Sequence, residues 1–130
     1  MTVLLDTQCW LWMNVAPERF SPSARRLIET SGTDLLLSAA SAWEIAIKFA
    51  LGKLRLPARP ADYVPSRLQQ TRTVALPITH DHALRSGELP PHHRDPFDRL
   101  LIAQAQVERL PFLTADRHLA VYDVEIILAC

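Results

Sequence analysis

Residues 95–116 read DPFDRLLIAQAQVERLPFLTAD and contain the clearest helix of the chain. Asp95 followed by Pro96 is a typical helix start, because Asp caps free backbone N–H groups and proline tolerates the first helical position. The apolar residues that follow predict a helix over 96–109, and the apolar pair at 112–113 then predicts a short buried strand. A helix that leads directly into a buried strand favours a parallel sheet with crossover helices.

Short apolar strands alternate with helices along the rest of the chain as well. Strands that are apolar throughout, rather than on alternate residues, are typical of a sheet covered on both faces. We therefore predict an α/β fold, a three-layer α/β/α sandwich with a central parallel sheet of four to five strands, in a single domain over residues 1–130. The predicted strands are 3–5, 35–37, 74–76, 112–113 and 124–128, and the predicted helices include 21–29, 41–51, a short one from 79 or 80 to 84, and 96–109.

The composition excludes several classes of protein. Hydrophobic residues make up 48% of the chain and the formal net charge is zero, which excludes disorder. The apolar runs are far shorter than a transmembrane helix requires, and the first residues lack the basic region of a signal peptide. Cys9 and Cys130 lie too far apart in sequence for a metal or redox motif, so we expect a reduced, cytoplasmic protein without a membrane partner.

Four carboxylates lie where a site is expected in such a fold. Asp6 and Asp116 follow predicted strands, and ligands of α/β sheets bind at the carboxyl ends of strands. Glu44 lies in an apolar helix after the second strand, and Asp98 lies near the start of the main helix. Acids brought together repel one another unless they share a cation, and a set of oxygen ligands favours Mg²⁺ or Mn²⁺. Such an ion supports attack by an activated water on a phosphodiester.

Each acid also has a purely structural interpretation when taken alone. Asp6 and Asp116 can cap the helical segments that follow them. Glu44 can form an ion pair with Lys48 one helical turn away. Asp98 can belong to the capping arrangement that begins at Asp95.

The motifs that surround these acids give a more specific indication. The chain resembles the PIN-domain ribonucleases, and within them the VapC toxins of bacterial type II toxin–antitoxin pairs. The resemblance runs from Leu4 to the C-terminus, and the motif around Asp98 is its most specific part. The segments that carry it are LLDT at 4–7 with LW at 11–12, SAASAWEIAIK at 38–48 with GKL at 52–54, HRDPFDRLLIAQA at 93–105, and LTAD at 113–116.

The resemblance implies roles for individual residues. Asp6, Glu44, Asp98 and Asp116 are implied as the catalytic acids that hold Mg²⁺ or Mn²⁺, and Thr114 as a hydroxyl that holds a carboxylate or a water in place. Asp95 takes the capping role beside Asp98, although the two acids could exchange in part. Residues 48–72 carry a net charge of +5, offset by −5 elsewhere. This basic segment is either a solvated surface or, as the resemblance implies, an RNA contact made by Lys48, Lys53 and Arg55.

The resemblance implies a metal-dependent endoribonuclease, the toxin of a toxin–antitoxin pair, that cleaves RNA and inhibits translation or growth. Its implied partners are an RNA substrate, a VapB-type antitoxin that covers the acidic pocket, and a second copy in a homodimer. The alternative is a catalytically inactive PIN-like or receiver-like module that binds RNA or a protein. The five histidines match no zinc motif, and we expect them to be surface loop residues.

Overall fold

The computed structural model describes residues 1–130, which form five strands, six α-helices and two 3₁₀ segments. The strands begin and end close to the apolar runs of the sequence. In chain order the elements are β1 (Thr2–Leu5), α1 (Thr7–Val15), α2 (Pro22–Glu29), β2 (Asp34–Ser38), α3 (Ala39–Ala50), α4 (Pro60–Gln70), β3 (Val74–Leu76), α5 (His80–Glu88), α6 (Pro96–Glu108), β4 (Phe112–Thr114) and β5 (Ile126–Leu128), with 3₁₀ segments at Pro17–Arg19 and Arg117–Val121.

All five strands are parallel, in the order β3-β2-β1-β4-β5, and this confirms the predicted sheet. Successive side chains of a strand point to opposite faces. In β1, Val3 and Leu5 belong to one buried cluster and Leu4 belongs to a second one. The first cluster is centred on α1 and the second on α6, since Trp10 lies in the first and Leu101 in the second. The sheet is therefore covered on both faces, as its all-apolar strands predict.

The direction in which strands are added to the sheet reverses once, next to β1. From β1 the chain builds outward through β2 to β3, and it then returns to add β4 on the other side of β1. The carboxyl ends of β1 and β4 are thus neighbours at a topological switch point, where α/β sheets bind their ligands. Asp6 and Asp116 follow these two strands, while α3 begins directly after β2.

Three details differ from the sequence prediction. The helical segment after Asp6 was given no bounds in the prediction, because Cys9, Trp10 and Leu11 are all buried and weaken the helical pattern of α1. Helix α5 continues to Glu88 instead of ending at Leu84, with Gly87 inside it. Strand β5 is shorter than predicted and begins at Ile126. No helix combines the length and the apolar character needed to span a bilayer.

Candidate functional site: an acidic pocket at the switch point

Asp6 is fixed at the end of β1, and its carboxylate is free of the capping role. Its backbone N–H donates to the carbonyl of Leu113 at 2.9 Å, which ties it to β4. Asp6 stands at the N-cap position of α1, yet its side chain accepts no hydrogen bond from that helix. Oδ2 of Asp6 instead accepts a 2.6 Å hydrogen bond from Oγ1 of Thr114, which is fully buried.

Glu44 enters the pocket from α3. This helix is capped by Ser38, whose Oγ accepts from the backbone N–H of Ala40 at 2.9 Å. The Oγ1 of Thr7 donates to Oγ of Ser41 at 2.7 Å and fastens the start of α1 to α3. Glu44 is buried and forms the ion pair with Lys48 that its helical spacing predicts. That pairing raises the pKa of Lys48 above its usual range.

Asp95 and Asp98 share the start of α6 but have different surroundings. Oδ1 of Asp95 accepts from the backbone N–H groups of Phe97 and Asp98, at 2.8 and 3.4 Å, and so caps the helix. The Asp98 side chain makes no capping bond and is 19% exposed. Asp95 is therefore engaged with the backbone, whereas the Asp98 carboxylate is available to a ligand.

The two carboxylate oxygens of Asp116 have different neighbours. Oδ1 accepts from the backbone N–H of His118 at 2.9 Å and caps the 3₁₀ segment after β4. Oδ2 lies 3.7 Å from Nε2 of His93. The backbone N–H of Asp116 donates to Oγ1 of Thr114 at 3.0 Å, so the same threonine contacts both strand-end acids.

Four of the five acids described above, all except Asp116, line one cavity of about 310 Å³. Desolvation on burial raises the pKa of Asp6, although the hydrogen bond from Thr114 opposes the shift. Desolvation, followed by repulsion from Asp6, Asp95, Glu44 and Asp116, raises the pKa of Asp98 to about 7. The lining includes the acids Asp6, Glu44, Asp95 and Asp98, the lysines Lys48 and Lys53, and the neutral residues Thr7, Gln8, Leu11, Ile45 and Leu54. Asp116 lies outside this lining but repels both Asp6 and Asp98.

The donor set of this pocket fits a divalent cation. Buried carboxylates that raise one another's pKa are stabilised by a shared positive charge. Carboxylate oxygens are the ligands that Mg²⁺ and Mn²⁺ take. The residues available to hold such an ion are Asp6, Glu44, Asp98 and Asp116.

His93 also belongs to this site: it lies in a loop, as predicted, but it is only partly exposed and faces the acids. The prediction of a surface loop residue was wrong for His82, which is fully buried in α5. The Nε2 of His93 lies 3.4 Å from Oδ2 of Asp98 and 3.7 Å from Oδ2 of Asp116, and its side chain is 26% exposed. Its ligand atom and those of the two acids lie within 4.8 Å of one another. The only sequence signal was its position two residues before the capping Asp95.

The three basic residues expected at an RNA surface differ in position. Lys48 and Lys53 line the pocket, and both are exposed to solvent. Arg55 is exposed but does not line the pocket. Arg67, from the same basic segment, instead donates to Oδ1 of Asn14 on α1 and serves packing. The basic segment is therefore only partly free for a nucleic acid.

Comparison with known proteins agrees with this geometry. Over 58 residues the chain is 47% identical to Ribonuclease VapC16 of Mycobacterium tuberculosis (strain ATCC 25618 / H37Rv). The aligned stretch covers 45% of this chain and 41% of that protein, so the chain matches about two fifths of the relative's length.

Solved structures share the fold at low sequence identity. A chain of VapBC2 from Rickettsia felis, solved bound to a promoter DNA fragment, has a TM-score of 0.73 at 14% identity, with 98% of each chain covered. A chain of DNA-bound VapBC from Salmonella typhimurium has a TM-score of 0.70 at 19% identity, with 100% of this chain and 99% of that one covered. The PIN domain model matches residues 3–125, nearly the whole sequence, and the chain therefore belongs to the PIN domain family.

Proposed function

We propose that this chain is a divalent metal-dependent endoribonuclease, the VapC-type toxin of a type II toxin–antitoxin pair. The observation that carries the proposal is the convergence of Asp6, Glu44 and Asp98 on one cavity, with Asp116 close enough to raise the pKa of two of them. Membership of the PIN family and the similarity to a protein named as a ribonuclease support it.

In this proposal, Asp6, Glu44, Asp98 and Asp116 hold Mg²⁺ or Mn²⁺. The ion supplies charge neutralisation and Lewis-acid polarisation for phosphodiester hydrolysis when it is bound. Thr114 holds the Asp6 carboxylate in one orientation, and Asp95 contributes by capping the helix that presents Asp98. Lys53, with Lys48 and the more distant Arg55, contacts the RNA backbone, because phosphate contacts supply most non-specific affinity.

The proposed partners follow from the same assignment. The structural neighbours named above are VapBC complexes, and we propose a VapB-type antitoxin that covers the acidic pocket of this chain. A homodimer and a cytoplasmic location complete the proposal. The RNA would be cleaved in the compartment where translation takes place, which accounts for inhibition of growth.

The test is cleavage of RNA by the purified protein. We expect cleavage with Mg²⁺ or Mn²⁺, loss of cleavage with chelator, and loss of cleavage in Asp6→Asn and Asp98→Asn. Asp34→Asn is the matched control, because Asp34 is exposed at the amino end of β2, the opposite end from the pocket. Folding of each variant is checked by circular dichroism. Cleavage by both folded pocket variants at the wild-type rate would refute the assignment.

A further inference from the structure

His93 is held in a loop that one side chain fixes. The guanidinium of Arg99 donates to four backbone carbonyls, three of them in this loop and one, that of Ser86, in the last turn of α5. Its Nη2 reaches Ser86 and Leu89 at 2.9 and 3.1 Å, and its Nη1 reaches Pro90 and His93 at 3.0 and 3.3 Å. A planar guanidinium with a rigid set of donors restricts all four carbonyls together. The backbone position of His93 is therefore built into the fold.

The backbone also fixes which nitrogen of His93 carries the proton. The backbone N–H of Asp95 donates to Nδ1 of His93 at 3.0 Å. Nδ1 must therefore offer its lone pair, and in the neutral ring the proton is then on Nε2. Nε2 is the atom that faces Asp98 and Asp116.

This arrangement conflicts with direct binding of an ion by His93. A histidine binds a metal through an unprotonated nitrogen. Ligation by Nε2 would place the proton on Nδ1, opposite the N–H of Asp95, and two donors would then face each other. The geometry of the loop thus favours a donor over a ligand, even though the three side chains lie close enough to share an ion.

Asp98 and Asp116 each have their Oδ2 atom closest to Nε2 of His93. Asp116 uses Oδ1 for the cap on His118, so its Oδ2 is the oxygen near His93. Asp98 also presents Oδ2, at 3.4 Å. Neither contact is a formed hydrogen bond at these distances, but hydrogen bonds of a catalytic site are often long before the ligand is bound and shorten once it is in place. Hydrogen bonds to ligating groups orient them and are important for metal affinity.

We propose that His93 is a positioning residue, whose fixed Nε2–H donor orients the Asp98 and Asp116 carboxylates around the ion without binding the ion itself. This inference deepens the proposed function and rests on it for the ligand set. The proposed interaction is a hydrogen bond from the imidazole Nε2–H of His93 to the Oδ2 atom of a carboxylate that binds the ion.

Two substitutions separate the two nitrogens of the ring. In His93→Asn the amide oxygen replaces Nδ1 and keeps an acceptor for Asp95, but the Nε2 donor is lost. In His93→Gln the amide nitrogen reaches the place of Nε2 and keeps the donor, but the acceptor for Asp95 is lost. A role in holding the loop would favour His93→Asn, whereas a role in orienting the acids favours His93→Gln.

The experiment measures Mn²⁺ binding to the full chain by electron paramagnetic resonance, alongside RNA cleavage. We expect His93→Asn to weaken Mn²⁺ binding by about 10- to 100-fold and His93→Gln to retain most of the affinity. We also expect kcat to fall with little change in KM for His93→Asn. Equal affinities in both variants and the wild type, or the reverse order, would overturn the inference.

The same spectra test the alternative in which His93 binds the ion. Pulsed measurements on bound Mn²⁺ report a directly coordinated nitrogen, and that signal in the wild type, lost in His93→Gln, would also overturn the inference. Failure of the proposed function gives a different result, because the wild type itself would then not cleave RNA. Wild-type cleavage with no separation of the two variants overturns the role of His93 alone.

Discussion

Thr114 and Asp6 are joined by a 2.6 Å hydrogen bond between side chains that are 108 residues apart in sequence. The same Thr114 oxygen accepts the backbone N–H of Asp116 at 3.0 Å. One buried hydroxyl therefore sets the orientation of Asp6 and the position of the loop that carries Asp116. Because the hydroxyl proton is donated to Asp6, a residue of the neighbouring strand β4 orients this carboxylate.

We expect Thr114→Val to weaken divalent-ion binding by at least about tenfold, because it removes a hydrogen bond that orients a proposed ligand. Valine has a similar shape but leaves the Asp116 N–H without its acceptor, so the free energy of unfolding should fall by about 1–2 kcal/mol. Calorimetric titration with Mn²⁺ and urea denaturation measure the two effects. Thr114→Ser is the control, since it keeps the hydroxyl; equal ion affinity in the Val and Ser variants would contradict the role of the hydrogen bond.

The stability of the metal-free protein should depend on the protonation of Asp98. Its folded pKa of about 7 lies above the value near 3.8 of an unperturbed Asp, so the folded state binds the proton more tightly. The contribution of this group to stability is therefore present at low pH and is lost as the pH rises toward and through 7. Urea denaturation in the presence of chelator at pH 5 and pH 8 measures it.

Asp98→Asn isolates this effect, because asparagine carries no charge at either pH. At pH 8 the metal-free variant should exceed the wild type in unfolding free energy by about 1–2 kcal/mol, a value reduced for partial solvent screening of the pocket. The difference should shrink at pH 5, where the wild-type carboxyl is protonated. A difference independent of pH would show that Asp98 does not titrate in this range.

Lys53→Ala should lower the affinity for RNA and make that affinity less sensitive to salt concentration. Removing one phosphate contact to single-stranded RNA reduces the slope of log K against log salt by about 0.7. The measurement uses the Asp98→Asn background, so that the RNA is not cleaved. Arg26→Ala is the matched control, because Arg26 is exposed on α2 and does not line the pocket. Equal slopes for Lys53→Ala and the control would remove Lys53 from the RNA surface.

Arg99→Lys should destabilise the protein although it keeps the charge. A lysine ammonium cannot reproduce the planar set of donors that reaches four carbonyls, so we expect a loss of about 2–3 kcal/mol in unfolding free energy. Mn²⁺ binding should weaken as well, because the loop presents His93. Arg94→Lys is the control, since Arg94 is exposed and makes none of these bonds. Unchanged stability of Arg99→Lys would show that the loop is held by other contacts.

Much of the fold follows from local patterns in the sequence. The run Val3–Leu5 is apolar because both faces of β1 are covered, and this predicted a parallel sheet. Ser21 and Asp95 start helices through side-chain caps, as their positions before Pro22 and Pro96 indicated. The four acids could also be placed near one another, because strand ends and helix starts meet at one edge of a parallel sheet.

The missed features depend on contacts that no local pattern reports. Helix α1 is buried around Cys9 to Leu11 and therefore lacks a polar face. His93 reaches the acids because Arg99 folds the preceding loop back on the start of α6, and this requires carbonyls from Ser86 onward. A lone histidine in a polar loop gives no such indication. Likewise, nothing local to Arg67 in the basic segment indicates its contact with Asn14, 53 residues away.

The pairing of β1 with β4 has a consequence for the order in which the protein is made. Asp6 directly follows the first strand, whereas Thr114 lies in β4, 108 residues later, and Asp116 comes just after it. A chain synthesised from its N-terminus can fold its early elements first. The acidic pocket, however, lacks the adjacent Asp116 carboxylate and the hydroxyl that orients Asp6 until residue 116 has left the ribosome. Under the proposed function, the ribosome would thus have to synthesise every residue from Asp6 to Asp116 before the toxin can assemble a site for cutting RNA.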